Sequence, residues 1–138
     1  MRLEEAAARR RFAGARVARL ATVGETGRPH LVPVTFAVEG DILVTAVDQK
    51  PKRDVDLRRV RNIRADPRVT LLADHYDDDW RELWWVRADG SATLVADDAG
   101  RRGPLRLLRD KYPQYGSDPP RGPVLRVRVE RWTGWAYR

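Results

Sequence analysis

Seven basic side chains crowd into residues 50–64, KPKRDVDLRRVRNIR. They are Lys50, Lys52, Arg53, Arg58, Arg59, Arg61 and Arg64, set against only Asp54 and Asp56. This stretch supplies +5 of the formal net charge of +7. It lies between two strand-like runs, DILVTAV and PRVTLLAD. A cationic cluster entering a short helix between two core strands can hold a phosphate or another anion. The unsatisfied N–H groups of a first helical turn add to the same field.

Few other residue patterns carry chemistry. The histidines, His30 and His75, lack metal-ligand spacing, and each falls on a strand, where a structural or surface role is expected. The run His75, Tyr76, Asp77, Asp78, Asp79 lacks the alternation, glycine and distal glutamate of a calcium loop, so it reads as a solvated acidic turn. Cysteine is absent, which excludes disulfides and thiolate chemistry. No nucleophile elbow, phosphate-cradling glycine loop or dinucleotide fingerprint occurs. A chain without an acid/base or nucleophilic constellation suits chemistry carried by a bound cofactor.

The elements that must position the cluster follow from periodicity and turn residues. Residues 3–12 predict a helix with early glutamates and late arginines matching its dipole. Strands are predicted over 16–23, 29–38, 42–47, 68–75, 83–95 and 123–137. In the second, Val32, Val34, Phe36 and Val38 form a bulky face, and Leu31, Pro33, Thr35 and Ala37 a smaller one that suits a flat ligand or an uncrowded outer surface. Gly40 and Asp41 predict a tight hairpin, and Asp89 and Gly90 a bulge. A helix over 54–65 stops at Asp66 and Pro67, because the residue before proline avoids helical backbone. A further helix over 97–112, weakened by Gly103 and Pro104, leads into a Pro/Gly-rich loop. Trp84 and Trp85 are adjacent on a strand and must face opposite ways. One belongs to the core, and the other needs a buried interface, which points to a dimer. These elements form one domain over 1–138.

Bulk composition narrows the class. Hydrophobic content of 42% with 34% charged residues is that of an ordinary globular protein. All but three of the basic side chains are arginine, so the scattered ones are equally a compositional bias. Neither a basic stripe nor a nucleic-acid-binding motif is present. No run approaches a membrane span, and the charged N-terminus lacks a signal-peptide core. A cytoplasmic protein with no nucleic-acid or membrane partner is expected.

In their order and spacing, LATVGETGRPHLVPVTF (20–36), ILVTA (42–46), RNIRADPRVTLLAD (61–74), DDDW (77–80) and RWTGW (131–135) resemble the pyridoxamine 5′-phosphate oxidase-like split-barrel superfamily. The likeness is greatest to its actinobacterial branch of coenzyme F420 (deazaflavin)-dependent enzymes. The resemblance implies a mainly β (α+β) fold, a six-stranded antiparallel split β-barrel of the FMN-binding type with peripheral helices. It implies a homodimer with the cofactor at the subunit interface, and a hydride moved between reduced coenzyme F420 and a small organic acceptor. FMN is the alternative cofactor, and a non-catalytic carrier or sensor the alternative role. Counting back from Asp66 and Pro67, the phosphate-holding basic pair falls on Arg58 and Arg59. Lys50, Lys52 and Arg53 form a second sub-cluster that could serve instead. The expected set is Lys52, Arg53 and Arg59 with Thr45, and Arg61 and Arg64 read as a solvated face. Val32, Pro33 and Val34 would line the ring system, with Trp80 of the partner chain opposite or simply an interface residue. The loop 112–123, with Tyr112 and Tyr115, would shape the acceptor pocket or lie free at the surface.

Overall fold

The structure is a computed structural model describing residues 1–47 and 53–138, with the side chains of 53–57 outside the description. Its centre is one antiparallel sheet of seven strands. They are β1 (Ala18–Val23), β2 (Pro29–Val34), β3 (Ala37–Glu39), β4 (Ile42–Ala46), β5 (Arg68–His75), β6 (Trp84–Val95) and β7 (Val124–Ala136). The spatial order is β2-β1-β5-β6-β7-β4-β3. Strands β2 and β3 are therefore opposite edges of the sheet, yet only Thr35 and Phe36 separate them along the chain. The sheet must curl until the end of β2 and the start of β3 come together at this corner, and among the described residues no ladder joins the two edges.

This corrects the expected six-stranded barrel. The run 29–38 is two strands, because the backbone at its middle bonds outside any ladder. The Thr45 hydroxyl donates to the Thr35 carbonyl at 2.6 Å. The Phe36 N–H donates to the Tyr112 hydroxyl at 3.2 Å, and that hydroxyl donates to the Arg16 carbonyl at 2.9 Å. Strand-face alternation survives the break. Val34 and Phe36 are buried in the main core, while Ala37 joins a second cluster with Val44, Leu108 and Tyr112.

Helix α1 (Glu5–Ala13) buries Ala8 and Phe12. The Phe12 ring meets Phe36 at 4.9 Å and Trp132 at 5.4 Å between centroids. Helix α2 (Arg53–Ala65) packs on β1 and β6, and α3 (Asp98–Lys111) covers β3 and β4. Helix α3 runs unbroken through Gly103 and Pro104. The expected loop after it contains a short helix, α4 (Gln114–Ser117). Lys111 ties α3 to α1 by donating to the Ala13 carbonyl at 3.0 Å. Its amine lies 3.7 Å from the centroid of the Phe36 ring, and burial, then Arg16, lower its pKa to about 8.

Geometry requires glycine at several turns and close approaches, Gly40 and Gly90 among them. Gly40 opens the β3–β4 hairpin with φ +61°, a region costly for residues with a Cβ. Gly90 sits at the register shift between β6 and β7. A Cβ there would lie 2.2 Å from the Arg128 carbonyl oxygen. Asp41, beside Gly40, accepts from Arg9 at 3.1 Å and from the Trp132 indole at 3.0 Å. These bonds hold its carboxyl below the usual range, the indole bond contributing most. No helix among the described residues is long and apolar enough to cross a membrane.

Candidate anion and cofactor site

Helix α2 is amphipathic in an uncommon way. Val60 and Ile63 enter the core, but Arg59 and Asn62 are buried beside them, at 7% and 4% exposure. Buried arginine is rare because its desolvation must be compensated. Arg58, Arg61 and Arg64 stay exposed. The Asn62 amide donates to the Thr22 hydroxyl at 3.0 Å, which pins α2 to β1. Directly across the β1–β2 ladder from Thr22 stands His30, so both side chains face the helix.

His30 is where the basic cluster becomes a site. Burial first, then the charges of Arg58 and Arg59, lower its pKa from the ordinary value. Its Nδ1 is buried and meets no hydrogen-bond partner among the described residues. A cavity of about 310 Å³ opens here, between α2 and the turn of residues 24–28. Arg28, Arg58 and Arg61 line it against one carboxylate, Glu25. Arg58 makes no ion pair among the described residues. The arrangement can receive an oxyanion through charge-assisted hydrogen bonds.

The other expected residues are distributed as follows. Lys50 and Lys52 lie outside the described residues; Arg53 begins α2, with its side chain outside the description. Arg58 and Arg59 are brought together beside His30. Thr45 is buried at 1% exposure, its hydroxyl committed to Thr35. Val34 is core and Val32 packs against the core; Pro33 is exposed, paired with Arg19 on the outer face. Tyr112 is buried at the β2–β3 corner. Tyr115 donates to or accepts from the Thr35 hydroxyl at 2.7 Å and borders a cavity on α3 with Arg106, Arg109 and Pro119.

Trp80 is 70% exposed, on a 3-10 turn beyond β5. From Val69, paired with Thr22, to His75, next to that turn, β5 runs roughly 20 Å at about 3.3 Å per residue. Trp80 is thus not brought to Arg58 and His30 within one chain. Trp84 packs on the core. Trp85 takes the opposite face, paired with Trp135 and bordering a cavity of about 340 Å³ with Leu72 and Tyr76. Leu31 and Tyr76 are 65% and 64% exposed. Among the described residues, no group of His, Asp and Glu could hold a metal ion.

His30, Thr22 and Asn62 escaped the sequence reading. The period-2 pattern of residues 29–34 did contain the signal for His30, which shares parity with the inward Val32 and Val34. The Thr22–Asn62 bond had no local signature.

Comparison with known proteins places the fold. The family described as pyridoxamine 5′-phosphate oxidase matches over residues 4–136. Among solved structures, a conserved hypothetical protein of Mycobacterium tuberculosis aligns with a TM-score of 0.79 and 23% identity, over 99% of this chain and 86% of that one. A FAD-binding protein of Mesorhizobium loti aligns with a TM-score of 0.76 and 20% identity, over 97% and 95%. The FAD-binding protein of Mycobacterium smegmatis gives a TM-score of 0.66 and 20% identity, over 96% and 93%. At these identities the likeness is one of fold. No curated protein matches the chain.

Proposed function

This chain belongs to the pyridoxamine 5′-phosphate oxidase family, and we propose on that footing that it is a flavin- or deazaflavin-dependent oxidoreductase. The family includes oxidoreductases. Our reading takes coenzyme F420 as the cofactor and a small organic molecule as the acceptor. The observation that carries it is the cavity beside His30, where Arg28, Arg58 and Arg61 outnumber the one carboxylate, Glu25, with the buried Arg59 adding its charge from behind. That donor set fits a phosphate ester. The cofactor, when bound, supplies the hydride transfer. The chain supplies the rest: Arg58 and Arg59 hold the phosphate, and Lys52 and Arg53, a few positions earlier in the sequence, add positive charge to the same segment. The exposed Pro33 offers a flat apolar contact. A segment carrying seven basic residues favours the phosphodiester and carboxylate tail of the deazaflavin over the single phosphate of FMN.

The proposal includes a homodimer. Leu31, Tyr76 and Trp80 are exposed, and Trp85 is half-buried on the outer sheet face. A partner covering that face would supply Trp80 to the neighbouring site. Light scattering at micromolar concentration is expected to give twice the chain mass; a mass near 15.8 kDa would remove the dimer and Trp80's role together.

The deciding experiment is a side-by-side anaerobic titration with coenzyme F420, FMN and FAD, followed by tryptophan fluorescence and cofactor absorbance. FAD enters because two structural neighbours are FAD-binding proteins. Coenzyme F420 is expected to bind in the micromolar range or tighter, with both flavins weaker. Tighter FMN or FAD binding reassigns the cofactor, and binding of none of the three overturns the reading.

A further inference from the structure

We propose that the cavity between the turn of residues 24–28 and α2 is an oxyanion site in which His30 is a proton-taking ligand. A sulfate- or phosphate-sized anion would seat between Arg58 and His30, and its arrival would protonate the imidazole. The proposal depends on the preceding reading only for what carries the anion, a cofactor phosphate or a free ion.

His30 is held on β2 opposite Thr22, and Thr22 is tied to Asn62 of α2. The imidazole therefore faces the helix bearing Arg58 and Arg59. Its Nδ1 is buried without a hydrogen-bond partner among the described residues. A neutral imidazole offers one donor, and an imidazolium offers two.

The charged groups around it decide when each form exists. Burial opposes protonation most, and Arg58 and Arg59 of α2 add to it. The turn brings Glu25 and Arg28 to the cavity, and α2 brings Arg61 as well. An anion lodged among these groups reverses the balance: it neutralises the guanidinium field and accepts from the imidazolium. By linkage, what the anion does to the proton, the proton does to the anion. If occupancy raises the His30 pKa by about one unit, affinity rises about tenfold as pH falls through that interval.

The test uses sulfate, whose charge is constant from pH 5 to 8. The imidazole nitrogens of both histidines are followed by NMR in sodium chloride and in sodium sulfate at matched ionic strength. In chloride, His30 should titrate below about 6.5. In saturating sulfate its pKa should rise by about one unit, while His75, exposed near Asp77, should not move. Arg58→Ala should raise the His30 pKa in chloride and abolish the sulfate response. His30→Gln should weaken sulfate binding about tenfold at pH 5.5 and little at pH 8.

An unmoved His30, or equal shifts of His30 and His75, overturns the proposal, and needs only the unaltered protein. Repeating the titration with FMN and coenzyme F420 separates the two readings. A response to sulfate but to neither cofactor upholds the anion site and counts against the cofactor assignment. A response to all three upholds both.

Discussion

Replacing Thr22 with valine tests the contact that sets α2 against the sheet. The two side chains have the same shape, so no cavity is made. What is lost is the acceptor for the Asn62 amide, in a place where Thr22 and Asn62 are 2% and 4% exposed and the bond is 3.0 Å. Stranding a buried donor costs about 1–3 kcal/mol. For a domain of this size each kcal/mol moves the melting temperature by about 3–5 °C, so Thr22→Val should lower it by roughly 3–15 °C. Asn62→Leu should cost a similar amount. The double variant should recover at least about 1 kcal/mol of the summed loss, because two apolar groups then face each other with nothing left unpaired. Urea unfolding monitored by tryptophan fluorescence, run on the unaltered protein and the three variants, gives all four corners of the cycle. Additivity within about 0.3 kcal/mol would mean that the Asn62–Thr22 bond does not hold the helix. The placement of Arg58 against His30 would then need another cause.

Three further outcomes follow from the fold. Tyr112→Phe should destabilise by about 1–3 kcal/mol, measured by thermal melting, since Phe36 N–H and Arg16 C=O both lose their partner at the β2–β3 corner. Gly90→Ala should be more severe, and little soluble protein is expected on expression, because its Cβ would press on the Arg128 carbonyl and backbone must move. Asp41→Asn should flatten the acid limb of the stability–pH curve. The Asp41 pKa is lowered in the fold, so its contribution is complete above the unfolded value of about 4 and lost as pH falls through the folded one; urea titrations from pH 5 to 2.5 would show the difference.

Local chemistry made much of this fold legible. Gly40 with Asp41, Gly90 after Asp89, and Asp66 before Pro67 each mark an event that needs only neighbouring residues, and each occurs where expected. The strand break at Thr35 and Phe36 was hidden, because its causes are Thr45 and Tyr112, the latter 76 positions away. The alternation of residues 29–38 runs straight through the break, so the pattern gave no warning. The site shows the same division. Arg58 and Arg59 were named by resemblance, but not that Arg59 is buried. Its replacement by alanine would therefore disturb packing as well as charge, whereas exposed basic residues contribute little to stability. Arg58 and Arg64, both exposed, are the cleaner pair for comparing ligand and bystander.

The open edge of the sheet bears on whether strands of other molecules can add to it. Among the described residues strand β2 pairs with β1 alone, and an unpaired edge is a template for adding strands from other molecules. Residues 29, 31 and 33 direct their N–H groups to one side. Two of them, Pro29 and Pro33, have no N–H, and proline in a sheet turns that side to the open edge. Only Leu31 then offers a donor along this row. A foreign strand would find a ladder with two rungs missing, so ordered end-on growth into fibrils is discouraged without a covering helix. The open barrel can thus present apolar surface on the face of its sheet while its rim resists polymerisation.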